Sequence, residues 1–238
     1  MAEFYGEDLA TIHAEGFGQL AEAAAGEVLD FLGDQAAGAR VLDLGCGAGA
    51  LAAALTAAGV RVWGADISPA LLAIARRRAP GAEFVEGSIH ELDLPQARAA
   101  CAIGEVVNYL ADPRAGPEGL AAFLAKAHAA LEPGGLLLFD AAAPGRGGSR
   151  GFTEGDSWAV GAVSEEADGL LTRRITTFRR DGERWRRAAE IHRLHLLAPE
   201  LVLARLAGAG FEAVAGDSYG GLRLPPGLVR YRAIRAAT

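Results

Sequence analysis

Val41-Leu42-Asp43-Leu44-Gly45-Cys46-Gly47-Ala48-Gly49 is the stretch whose reading decides the fold. The run Val41–Leu44 reads as a short buried strand, and the Ala/Leu-rich segment behind Gly49 reads as a helix. Three alternating glycines join them. A strand that enters a helix through glycines gathers backbone N–H groups at the positive end of that helix. No Cβ keeps a ligand from the backbone there.

The spacing narrows the ligand. Asp43, Gly45, Gly47 and Gly49 form D-x-G-x-G-x-G, while Gly45, Gly47 and Ala50 also fit the dinucleotide fingerprint G-x-G-x-x-G/A. The acid inside the strand separates the two. A carboxylate there repels a pyrophosphate but can hold a cation, directly or through water. S-adenosylmethionine (SAM) carries an ammonium group and a sulfonium centre and suits that carboxylate. A ligand-free turn would not need three alternating glycines.

Working outward, strand-like and helix-like segments alternate. Helical periodicity covers Glu7–Leu32, broken near Gly16 and Gly18. Strands are expected at Arg40–Leu44, Arg61–Ala65, Glu83–Glu86, Ala100–Gly104 and Leu136–Asp140. Helices are expected at Ala48–Ala58, Ala70–Ala79 and Pro117–Leu131, with Ser68 as N-cap and Pro69 in the first turn of the second. This alternation implies an α/β fold with a parallel sheet and helices on both faces. Ala141–Gly155, rich in Gly, Ala, Pro and Ser, reads as a flexible connector or lid. Asp168-Gly169 and Asp181-Gly182 are hairpin signals. They divide Trp158–Ser164, Leu170–Arg179 and Arg184–Leu197 into a three-stranded antiparallel meander. A helix over Ala198–Ala209 and an antiparallel pair, Phe211–Ala215 with Val229–Ile234, close the chain. The expected organisation is an N-terminal helical cap (1–38), an α/β core (39–155), an antiparallel β insertion (156–197) and a C-terminal return to the core (198–238).

Composition bounds the function. The 238 residues are 51% hydrophobic, enough for a sizeable core, and the formal charge of −7 argues against a general nucleic-acid binder. Cys46 and Cys101 have no metal-ligand spacing and make no disulfide framework, which fits a reducing, cytoplasmic setting. No metal site is expected. Met1–Tyr5 lacks the basic and apolar regions of a signal peptide, and no apolar run is long enough to span a membrane.

Ligands of open α/β sheets bind beyond the carboxyl ends of the strands. Strand one offers Gly45, Cys46 and Gly47 there. Strand two offers Asp66, suited to gripping ribose hydroxyls, with Ile67 behind it. Strand three offers Gly87, Ser88 and Ile89, a hydroxyl for an adenine edge and an apolar face for its ring. Strand four offers Gly104, Glu105, Asn108 and Tyr109, a wall facing the substrate.

Together, Val41–Gly49, Asp66, Gly87-Ser88, Glu105–Leu110 and Pro133-Gly134-Gly135 resemble a class I SAM-dependent methyltransferase. The resemblance covers roughly 40–140 and the closing strands. It implies a Rossmann-like, seven-stranded, mostly parallel sheet whose last strand is antiparallel. It implies that Asp43 and Gly45–Gly47 surround the methionine end of SAM and that Asp66 holds the ribose. Many members have Asp where this chain has Ser88, which leaves the adenine-amine contact without its usual residue. Glu105 is the carboxylate expected nearest the reaction, holding the SAM ammonium group or shaping the site rather than taking a proton. Tyr5, His13, Asn108 and Tyr109 are expected substrate contacts. The N-x-P-P-Y-type motif of base and glutamine methylation is absent.

The meander resembles insertions of small-molecule methyltransferases, including sugar N-methyltransferases, that help form a substrate pocket or a dimer contact. Its eight arginines between Arg173 and Arg193 are expected on a solvated face, paired with Glu165, Glu166, Glu183 and Glu190. Trp158, Phe178 and Trp185 are expected to pack it onto the body. His90 and His128 read as surface or loop residues, and of His192 and His195 one at most faces inward. The leading reading is methyl transfer to a small-molecule acceptor by a protein that can form a homodimer. A nicotinamide-dependent oxidoreductase, a non-catalytic SAM-binding sensor or partner subunit, and an RNA methyltransferase are the alternatives. The first would want a Tyr/Lys pair, and Lys126 is the only lysine.

Overall fold

The computed structural model describes residues 4–236. Met1–Glu3, part of the stretch read above for a signal peptide, lie outside the described residues. Helices α1 (Glu7–Gly16) and α2 (Gln19–Leu32) precede the sheet. Strands β1 (Arg40–Leu44), β2 (Arg61–Asp66), β3 (Glu83–Glu86), β4 (Ala97–Ala102) and β5 (Leu131–Ala142) alternate with α3 (Ala50–Ala57), α4 (Pro69–Arg78) and α5 (Pro117–Ala130). The insertion follows as β6 (Arg150–Gly155), β7 (Trp158–Ala167), β8 (Leu170–Asp181) and β9 (Arg184–His195). Then come α6 (Pro199–Gly208), β10 (Phe211–Gly216), a small hairpin of β11 (Ser218–Tyr219) and β12 (Leu222–Arg223), and β13 (Leu228–Arg235).

The main sheet has seven strands in the order β10-β13-β5-β4-β1-β2-β3. Strands β1 to β5 pair in parallel, and β13 runs antiparallel to both β5 and β10. Strict alternation along buried strands builds a core on each face. Leu42 and Leu44 of β1, with Leu137 and Phe139 of β5, pack under α5 and α6. Val41, Leu136 and Leu138 point the other way, against α2 and α3. Asp43 points to the same side as Val41, which is the reason an acid in a core strand demands an explanation. Ser68 caps α4 by accepting from the Leu71 N–H at 3.2 Å.

Three expectations are corrected. The strand expected from Leu136 begins earlier; β5 starts at Leu131 and carries Pro133-Gly134-Gly135 as an irregularity, because Ala97 pairs Leu131 and the register then shifts to Ala99 with Leu136. Second, Ala141–Gly155 is only partly a connector. Residues Arg150–Gly155 pair antiparallel with β7, so the insertion is a four-stranded sheet, β6-β7-β8-β9. Its exposed, Gly-containing first strand has no buried alternation to betray it. Third, only Trp158 of the three insertion aromatics packs on the body, with Leu9 and Ile12 of α1. Phe178 and Trp185 lie on the outer face, 38% and 50% exposed. No described helix is long and apolar enough to cross a membrane.

Candidate active site

The carboxyl ends of β1, β2 and β4 open onto a cleft of about 680 Å³. Gly45 turns with φ +73°, and a Cβ there would come within 2.5 Å of Val106. Glycine is therefore required for the segment after β4 to close over the turn. At Gly47 (φ +54°) a Cβ would meet nothing within 4 Å; the backbone simply faces open space. The two turns are locked together by Asp66. Its Oδ2 accepts the Gly47 N–H and its Oδ1 accepts the Ser68 N–H, both at 2.8 Å. Burial raises the Asp66 pKa above its ordinary value.

Asp43 is 2% exposed, and its Oδ2 has no hydrogen-bond partner among the described residues. Burial, with Asp66 adding like charge, pushes its pKa up to about 7. A buried carboxylate with one oxygen left without a partner, beside an open glycine backbone, is costly unless something cationic is brought to it. The residues on the page thus fit a ligand with a positive end near Asp43.

The opposite wall follows β4. Glu105 sits in the left-handed region (φ +64°), a conformation that must be held by its surroundings. Asp140, at the end of β5, holds it by accepting the N–H groups of Gly104 (2.9 Å) and Glu105 (2.6 Å), and its other partner is the Tyr219 hydroxyl (2.9 Å). Burial pushes the Asp140 pKa up to about 6. The Glu105 carboxylate is bound by two arginines: Arg173 Nη2 at 3.0 Å and Arg146 Nη2 at 3.2 Å. Arg173 also donates to the Tyr109 hydroxyl at 3.3 Å. Glu105 is therefore occupied by the insertion and the connector, a different role from the expected grip on an ammonium group.

The N-terminal segment forms the roof. Tyr5 and His13 line the cleft with Phe4 and Tyr109. Burial raises the pKa of both tyrosines and lowers that of His13 to about 4, so all three are neutral near pH 7. The roof is tied to the insertion twice. Glu190 accepts the N–H groups of Tyr5 (3.0 Å) and Gly6 (3.1 Å), and Asp8 of α1 accepts from Arg186 Nε (2.7 Å) and Arg179 (3.3 Å). Arg186 above all, with Arg179, holds the Asp8 carboxyl below its usual value. Only Arg174 of the arginines finds one of its expected partners, Glu165 at 3.9 Å.

The cleft thus gathers Gly45, Gly47, Asp66, Ile67, Gly87, Ile89, Tyr5, His13 and Tyr109. Asp43 and Cys46 line the adjoining hollow behind the glycine turn, with His13 and Gly18. Ser88 is not on the wall; its hydroxyl donates to Asp112, and Asp112 faces the cleft instead. Asn108 is a correction. It is fully buried, and its amide bonds the Ala142 N–H and C=O and the His195 C=O, so it clamps backbone and does not face the substrate. His90 lines the cleft rather than the surface. Gly104 lines the cleft as read, whereas Phe4, Ile103, Val106 and Asp112 were missed; for Asp112 the Asp-Pro turn signal was the available cue.

Residues 41–135 match the family described as "Methyltransferase domain". Over 121 residues the chain is 33% identical to the malonyl-[acyl-carrier protein] O-methyltransferase of Serratia marcescens, covering 50% of this chain and 45% of that one. Over 106 residues it is 35% identical to the ubiquinone biosynthesis O-methyltransferase of a Bradyrhizobium strain, covering 42% and 39%. The matches therefore span less than half of these curated relatives. Among solved structures, a SAM-dependent methyltransferase of Clostridium acetobutylicum superposes with a TM-score of 0.79 at 19% identity, covering 95% of this chain and 97% of that one. The SAM-bound amino pentose methyltransferase of calicheamicin biosynthesis from Micromonospora echinaspora superposes with 0.76 at 24% identity, covering 99% of each. At those identities the likeness speaks for the fold, insertion included. The family match thus covers the glycine turn and the strands that build the cleft, and over the whole chain the fold is that of the SAM-dependent methyltransferases.

Proposed function

We propose that this protein transfers the methyl group of SAM to a small-molecule acceptor in the roofed cleft. The observation that carries the reading is the buried Asp43 carboxylate, whose Oδ2 has no partner among the described residues, beside the open backbone at Gly47. In this reading Asp43 and Gly45–Gly47 receive the methionine end. Asp66, already positioned by two backbone N–H groups, receives the ribose. Gly87 and Ile89 flank the adenine ring, and Asp112, held by Ser88, supplies a carboxylate at its edge. SAM, when bound, supplies an electrophilic methyl carbon on a positively charged sulfur. What the chain contributes is alignment and exclusion of water. Tyr5, Tyr109 and His13, neutral and enclosed, form the acceptor side, and Glu105 fixes that side through Arg173 rather than meeting SAM.

A hydride-transferring oxidoreductase is disfavoured by the same geometry. Lys126 Nζ donates to the C=O groups of His90 (2.9 Å) and Leu92 (2.8 Å), which takes the one lysine away from Tyr109. The test is release of S-adenosylhomocysteine from SAM with three probe acceptors: a catechol, a nucleotide-linked amino sugar and a malonyl thioester. Acceptor-dependent release supports the reading. Saturable SAM binding with no release from any of the three, or from a wider set of small acceptors, would favour a non-catalytic SAM-binding protein.

A further inference from the structure

His192 stands beside the acceptor side, and the account above leaves it without a task. It lies on the inward face of β9, 3% exposed. Its Nε2 is 2.9 Å from Glu190 Oε2, and its Nδ1 is buried with no partner among the described residues. Its ring is enclosed by three aromatic rings, those of Phe4 (centroids 4.8 Å apart), Tyr5 (4.9 Å) and Tyr109 (5.7 Å). All three line the cleft. On the other side of Phe4, His192 and Glu190 line a second hollow with Leu110, Ala111 and Ile191. The imidazole therefore lines the second hollow and stands directly behind the three rings that line the cleft.

The chemistry follows from the hydrogen bond. A carboxylate on Nε2 holds the proton on that nitrogen, which leaves Nδ1 as a bare lone pair. The same carboxylate stabilises the imidazolium that forms when Nδ1 takes a proton. A purely structural histidine at this depth would use both ring nitrogens. We infer that Glu190 and His192 form a general-base dyad, with His192 Nδ1 taking the proton of an acceptor N–H or O–H as it is methylated.

The step balances. The acceptor's nitrogen or oxygen forms a bond to the methyl carbon, and the carbon–sulfur bond breaks with its electron pair staying on sulfur. The sulfonium becomes a neutral thioether, and the acceptor's proton moves to Nδ1. This deepens the proposed function and rests on it: the acceptor is a hydroxyl or an amine that must shed a proton, not a carboxylate, which needs no base. Glu190 also holds the Tyr5 and Gly6 N–H groups, so the base is in place when the roof is closed.

The charged and titratable groups around His192 are Glu190 on β9, Arg173 as its cross-strand partner on β8, Tyr5 on the roof, Tyr109 after β4, and His13 on α1. His13 stays neutral above about pH 4, so it does not produce a limb near neutrality.

The test uses the whole chain and His192→Gln, whose amide can keep the contact to Glu190 while removing the base. The expected result is SAM affinity within about twofold of the parent, acceptor KM little changed, and kcat lower by about 100-fold or more on the catechol or amino-sugar probe. Nitrogen-15 NMR of the parent with S-adenosylhomocysteine should show Nε2 protonated and Nδ1 bare. Undiminished kcat in a folded His192→Gln, turnover confined to the malonyl thioester, or a proton found on Nδ1 would overturn the dyad. If none of the probes turns over, the NMR result decides. Failure of the parent to bind SAM at all would instead overturn the proposed function.

Discussion

The two walls of the cleft are built by different means. On the glycine-turn wall the determinants are neighbours in sequence or lie on adjacent strands: Asp66 reaches Ser68 two residues away and Gly47 nineteen away. Backbone conformation does most of the work, and one buried carboxylate oxygen, Asp43 Oδ2, is left for the ligand. The opposite wall is assembled from distant parts. Arg173 reaches Glu105 across 68 residues, Asn108 reaches His195 across 87, and Glu190 reaches Tyr5 across 185. Its carboxylates, Glu105 and Asp140, are satisfied within the protein. The difference teaches that the first wall is specified by local turn chemistry, whereas the second is specified by the insertion and the N-terminal segment, where acceptor specificity resides in our reading.

The sharpest way to break this contrast is Arg173→Ala. It leaves the largely buried Glu105 with Arg146 alone and frees the Tyr109 hydroxyl. We expect a loss of about 2–4 kcal/mol in chemical denaturation with SAM affinity within a few-fold of the parent. A collapse of SAM affinity in the folded variant would mean that the walls are not independent.

Asp66→Ala attacks the other wall. It removes a buried carboxylate and the acceptor of two backbone N–H groups. SAM affinity should fall by about 10–100-fold, read by calorimetry. Unchanged affinity would remove the ribose assignment.

Asp43 sharpens the comparison through pH. Its folded pKa, about 7, lies above the ordinary 3.8. Between those values the ligand-free folded protein binds the proton and the unfolded chain does not. Stability is therefore highest below pH 4 as far as this group is concerned, and is lost as pH rises through 7. Asp43→Asn should flatten that decline in melts across the range, while weakening SAM. An unchanged pH profile would show that Asp43 is not strained in the ligand-free state.

The smallest effect is expected at the roof. Asp8 has its pKa depressed by Arg186 and Arg179, so its contribution is present above the ordinary carboxylate range and lost as pH falls below it. Asp8→Asn should lower the melting temperature slightly at pH 7 and not at all in strong acid. Loss of SAM binding in this variant would show that the clamp on α1 holds the donor wall as well.

The contrast also explains what was legible in the sequence. Asp43, the glycines and Asp66 were legible because each lies in a strand–turn–helix unit whose periodicity marks it. The hairpins at Asp168-Gly169 and Asp181-Gly182 were legible for the same reason. Strand β6 was not, since Arg150–Gly155 is exposed throughout. Asn108 and Tyr109 were read alike, yet one turns to backbone carbonyls and the other to the cleft; residue type does not say which way an amide points. Asp112, Arg146, Arg173 and His192 enter the site from separate loops and strands, and no local pattern could bring them together.

The measurement that tests the central claim most directly is calorimetric titration of the protein with SAM at pH 7, in two buffers of different ionisation heat, with NADH as parallel titrant. The account predicts saturable SAM binding, silence from NADH, and a buffer-dependent heat showing proton release, since a cation beside Asp43 lowers its pKa from about 7. Silence from SAM, or binding of NADH in its place, would contradict the account at its root.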